Sequence, residues 1–170
     1  MGCAGCAPSD IEIGDIIEVK YKGVFEGQNV FESKQLGLYS NNTYSGFTLP
    51  NKGIIVGEGV FSSGKSGGLA MMQHEFGHVL QYRKVGFENY YRVIAKESLL
   101  NCTFDKLTGM DTHSTFWTET WANYLSKNYF GGKWLGVEIL SSDKWRLYYP
   151  SKNPNRLFKV MKFGITGFYI

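Results

Sequence analysis

The chain has 170 residues, 43% of them hydrophobic and 16% aromatic, which is enough for one domain with a buried core and excludes a disordered polymer. Its net charge of +3 comes from dispersed lysines and arginines, so no basic tract of the kind that binds nucleic acid is present. No apolar run approaches the ~18 residues that span a bilayer, and the amino end lacks a secretory apolar segment.

Residues 1–9 read as a leader outside the fold, and residues 10–170 as a single domain. Cys3 and Cys6 form a C-x-x-C without the strand-turn-helix context or second pair that zinc or redox work needs. Cys102 stands alone. The chain is either cytoplasmic, or secreted or envelope-attached through a leader outside or removed from it.

Strands come first. In "DIIEVKYKGVF", Ile17, Val19 and Tyr21 alternate with Glu18, Lys20 and Lys22, the period of a half-buried strand. "GIIVGEGVF", residues 53–61, reads as a more buried strand. Between them, "SNNTYSGFTLPN" has the composition of a turn region. The glycine-rich "SSGKSGG", residues 62–68, reads as a loop. Only its Gly64-Lys65-Ser66 matches the end of a phosphate-loop pattern, so it is discounted as a nucleotide site.

Helices follow. Leu69 to about Lys84 predicts one helix, stopped by Gly86, and Phe87 to about Leu100 a second. A third, capped by Asp111 or Ser114, runs to Phe130 and stops at Gly131-Gly132. The last forty residues read as β-rich or irregular, interrupted by Pro150 and Pro154.

The first helix carries "HEFGH". Residues four apart on a helix lie about 40° apart and one turn along, so His74 and His78 face the same way and can reach one ion. Glu75 lies about 100° from His74, beside the pair, where a carboxylate can touch a water on the metal without binding the metal itself. Leu69, Met72, Phe76 and Val79 form the opposite, apolar face, with Leu80 on the flank. Gly77 costs roughly 1 kcal/mol of helix propensity against Ala, a sign of close packing there. The plainer reading, two histidines satisfied by hydrogen bonds on a half-buried helix, stands beside the metal reading.

A hydrolytic zinc site takes three protein ligands and an open position. Two candidates for the third are Glu119 and His113. On the third helix, Trp117, Trp121, Tyr124 and Leu125 form a core stripe. Phe116, Ala122, Asn123 and Ser126 share the Glu119 side. Ala122 permits close helix approach, and Asn123, one turn on, can orient a ligand histidine. The alternative set is His74, His78 and His113, with Glu119 behind them. Either set predicts one zinc ion per chain.

His74-Glu75-x-x-His78 followed by Glu119-x-x-Ala122-Asn123 resembles the gluzincins, the thermolysin-like metallopeptidases. Residues 67–131 are similar to a group of bacterial zinc peptidases found in Bacteroides-type organisms. The resemblance implies an α+β zincin-like fold, with a small N-terminal sheet packed on an active-site helix and a third-ligand helix. It implies zinc on His74, His78 and Glu119, with Glu75 as general base for peptide hydrolysis and Asn123 supporting a zinc histidine. The stretch between His78 and Glu119 is longer than in thermolysin and has room for an extra helix. Thermolysin-like enzymes place a transition-state histidine after the third ligand, and none follows Glu119 here. Tyr82, Tyr124, Tyr129 and His113 are the candidates for that role. The expected partner is a peptide or protein substrate, as in a broad peptidase or a toxin-like enzyme with one target. The rival reading is a zincin-shaped interaction module that holds zinc with little turnover.

Overall fold

The computed structural model describes residues 11–13, 17–38, 45–109 and 113–136. The leader at 1–9, the expected cap Asp111 and the final segment 137–170 lie outside the described residues. The protein is α+β. Its described residues form two compact units, one running up to Val79 and including Gly132–Gly136, the other Leu80–Gly131.

The first unit is built on a mixed sheet. Its strands are β1 (Ile11–Ile13), β2 (Ile17–Phe25), β3 (Gln28–Leu38), β4 (Gly46–Leu49) and β5 (Gly53–Glu58), in the order β1-β2-β3-β5-β4. β2 and β3 form an antiparallel hairpin, β3 runs parallel to β5, and β5 returns antiparallel to β4. The alternation expected in β2 is present, with Val19 inward and Glu18, Lys20 and Lys22 exposed. Val19, Phe31 and Ile55 form a core on one face, with Tyr21 packing its edge on Phe31. β5 is buried over Gly53–Val56, as its uninterrupted apolar run requires.

Two features of this unit depart from the sequence reading. The turn-like stretch 40–51 contains strand β4, at the sheet edge. The turn from β4 to β5 needs Gly53, whose φ of 153° leaves no place for a side chain because a Cβ there would lie 2.4 Å from the Asn29 carbonyl oxygen. The glycine-rich loop is also shorter than expected, because helix α1 (Ser66–Val85) already includes Gly67 and Gly68. A Cβ on Gly68 would come 2.1 Å from the Val60 carbonyl oxygen, so only glycine lets α1 start this close to the loop.

That loop is anchored by Glu32, a buried carboxylate on β3. Its Oε1 accepts the backbone N–H groups of Phe61 and Ser62, each at 2.9 Å, and the Ser62 hydroxyl at 3.1 Å. Lys22 Nζ stands 3.5 Å from Oε2. Burial works against the charge of Glu32. The hydrogen bonds from Ser62, Gly59 and Phe61 outweigh it and hold the carboxyl below its ordinary value.

On α1, Met72, Phe76 and Val79 are buried as expected. Leu69 is not: it is 39% exposed, in the first turn of the helix. Phe76 packs edge-on against Phe25 of β2. The Gln73 amide closes two hydrogen bonds on the returning segment, donating to the Lys133 carbonyl and accepting the Leu135 N–H, both at 2.8 Å.

In the second unit the chain leaves α1 at Gly86, whose φ of 81° suits its place past the helix end. It continues through α2 (Phe87–Asn89), a π-helical turn (Tyr90–Ala95) and α3 (Lys96–Thr108), extending the expected second helix to Gly109. After a 3₁₀ turn (His113–Thr115) comes α4 (Trp117–Phe130). Phe116, not Ser114, holds the N-cap position of α4, and no side chain caps it; Ser114 lies inside the 3₁₀ turn. The core is Tyr90, Ile94 and Trp121, flanked by Tyr82, Trp117, Tyr124 and Leu125. The expected aromatic stripe of α4 is therefore packed, and its Glu119, Ala122 and Ser126 side is buried as well.

Among the described residues, no helix is long and apolar enough to cross a membrane.

Candidate metal centre

α1 presents the two histidines one turn apart. Their rings stand edge to face, with centroids 5.1 Å apart and planes at 88°. His78 is buried and His74 half-buried. Beyond His78 the same helix passes into the second unit, where Gln81, fully buried, donates its amide N–H to the carbonyl of Thr118 at 2.6 Å. Gln81 follows His78 by one turn and Thr118 precedes Glu119. This buried hydrogen bond holds the start of α4 on the end of α1 inside the second unit.

His74, His78 and Glu119 each offer one ligand atom, and these atoms all lie within 4.8 Å of one another. Donors about 2.1 Å from a tetrahedral ion sit ~3.4 Å apart, so this group is compatible with a metal ion. Two imidazole nitrogens and one carboxylate oxygen make a borderline donor set that suits zinc or a similar divalent ion and not a hard alkaline-earth cation.

Glu119 is buried and held from two sides. Its Oε1 accepts the hydroxyls of Ser98 on α3 at 2.7 Å and of Thr118 at 2.9 Å. His113 is not part of the three-donor group. Its Nε2 stands 3.9 Å from Glu119 Oε1, its Nδ1 meets Asn101 Oδ1 at 3.1 Å, and its backbone N–H donates to Asp105 Oδ2 at 2.7 Å. It is therefore fixed beside Glu119. Nearby on α3, burial raises the carboxyl of Glu97, partly offset by the Trp117 indole N–H at 2.7 Å and the charge of Lys96.

Glu75 is 2% exposed and buttressed by the edge strand. The Thr48 hydroxyl of β4 lies 2.7 Å from its Oε2. A Cβ on Gly46 of β4 would come 2.9 Å from its Oε1. Asn123 is half-buried on α4, one turn past Glu119. Tyr82 packs its ring edge-on against Tyr90 in the apolar cluster, Tyr124 flanks the same cluster, and Tyr129 is exposed.

Thr48, Gly46, Ser98, Thr118 and Gln81 carry no motif that singles them out. Gln81 alone left a trace, as an uncharged polar residue three positions after His78 on the face of the two histidines. No protein-family model, curated protein or solved structure matches the chain.

Proposed function

We propose that the protein is a zinc-dependent peptide hydrolase of zincin-like fold, with zinc held by His74, His78 and Glu119. The observation that carries this reading is a buried carboxylate, Glu75, fixed on the same helix as two histidines that share a donor group with Glu119. Zinc held by these residues would supply Lewis acidity to the scissile carbonyl and to the attacking water. Glu75 takes a proton from the attacking water and returns it to the leaving amine, the work of a general base and then acid. Thr48 holds Oε2 of Glu75, so the carboxylate meets the water in one orientation. Ser98 and Thr118 hold Glu119. Asn123, half-buried one turn past Glu119, is the candidate to orient a ligand histidine.

The decisive experiment is Glu75→Gln, which removes a base and no ligand. The variant keeps its zinc and melting temperature and loses hydrolysis of an unstructured protein substrate such as casein. Hydrolysis by the variant at the parent rate would remove Glu75 from the mechanism.

The second reading is a zinc-holding interaction module with little turnover. It is favoured by the absence of a histidine after Glu119 and by the packing of Tyr82 in the apolar cluster.

A further inference from the structure

Helix α3 turns its polar side inward. Glu97, Ser98, Asn101 and Asp105 lie within about 100° of arc around its axis. Each bonds to α4 or to the turn before it: Glu97 to the Trp117 indole, Ser98 to Glu119, Asn101 to the His113 ring and Asp105 to the His113 backbone. Leu99, Leu100 and Leu107 face outward, 67%, 49% and 82% exposed. A helix that serves only to fill a core shows the reverse pattern. The polar rungs therefore have work that apolar packing would not do.

Three of the four rungs meet at the third-ligand residue or at His113 beside it. A glutamate side chain has three rotatable bonds, and a ligand left to rotate pays ordering entropy when the metal binds. Both hydroxyls act on the same oxygen of Glu119, which fixes the rotation of the carboxylate plane before any metal arrives. Ser98 supplies the shorter bond, from a helix that holds no ligand of its own.

We infer that Ser98, seconded by Thr118, is a positioning residue for Glu119, and that α3 thereby sets the metal affinity of the site. The inference rests on the metal reading proposed above and deepens it.

The test is zinc affinity, measured by chelator competition on the full chain, with melting temperatures of the zinc-free and zinc-loaded forms. Ser98→Ala binds zinc about 10–100-fold more weakly, the usual cost of losing such a support. Its gain in melting temperature on adding zinc shrinks. Ser98→Thr restores the hydroxyl and the affinity, and Leu99→Ala, on the exposed face, changes neither. A merely structural role for Ser98 would lower both forms alike and leave affinity and increment unchanged, and that result overturns the inference. Should Ser98→Ala fail to fold, Thr118→Val carries the same test with nearly the same side-chain volume. Zinc affinity at the parental level in the folded variant refutes the inference while the metal site stands. A parent chain that binds no zinc removes the metal reading and this one with it.

Discussion

The hydroxyl of Thr48 lies 2.7 Å from Oε2 of Glu75 and 2.9 Å from the carbonyl oxygen of the same residue. A four-residue edge strand thus reaches the carboxylate proposed to move the proton. Both residues are buried, so the bond is neither screened nor exchanged with water.

Thr48→Val removes this donor at nearly constant volume. We expect a fall in kcat of roughly tenfold, from a base that is present but loosely aimed, with KM and zinc content unchanged. Thr48→Ser restores the rate. Steady-state kinetics on the three proteins, with zinc measured on each, makes the comparison. A Val variant as fast as the parent would mean that the bond only packs β4 on α1.

Gly46→Ala probes the same carboxylate from the other oxygen. Its Cβ would meet Glu75 Oε1 at 2.9 Å, Val56 Cγ1 at 3.0 Å and Met71 Cε at 3.1 Å. The expected outcome is a loss of activity larger than the loss of stability, read from kcat and from thermal melting. Melting that falls in step with activity would assign Gly46 to packing alone.

Gln81→Leu breaks the bond to the Thr118 carbonyl inside the second unit. A buried hydrogen bond of this kind contributes about 1–2 kcal/mol, measurable by urea unfolding. Zinc affinity falls as well, since Glu119 adjoins Thr118. Unchanged zinc affinity would show that α4 keeps its place without Gln81.

Glu32 gives the fold an acid-sensitive anchor. Its folded carboxyl lies below the ordinary value of 4.5, because hydrogen bonds to Ser62, Gly59 and Phe61 outweigh the burial that opposes the charge. A lowered folded value means stability that is present above pH 4.5 and lost as pH falls through the folded value. The parent is therefore more stable than Glu32→Gln at pH 7, and the two converge in acid. Thermal melting from pH 7 to pH 3 checks the sign: a gap that widens in acid contradicts it.

Which parts of this were legible beforehand follows from the range of the interactions. The α1 helix and the four-residue spacing of His74 and His78 are local, set by periodicity and a terminal glycine, and the helix stands in the structure. The aromatic stripe of α4 was legible for the same reason. Strand β4 was not, because "GFTL" is too short to show a period and sits among Asn, Ser and Pro that announce a turn. Leu69 looked like core because periodicity says which face a residue is on and not where along the helix the packing starts. Ser98 and Thr48 were invisible, since their roles arise from contacts across 21 and 27 positions. The π-helical turn Tyr90–Ala95 has no marker in the sequence.

The central claim is that His74, His78 and Glu119 bind one zinc ion. Diffraction from metal-replete crystals, collected on both sides of the zinc absorption edge, tests it directly. The account predicts a single strong anomalous peak about 2.1 Å from a nitrogen of each histidine and an oxygen of Glu119. A metal-replete crystal with no peak at these three residues, or with its zinc on Cys3 and Cys6 instead, would contradict it.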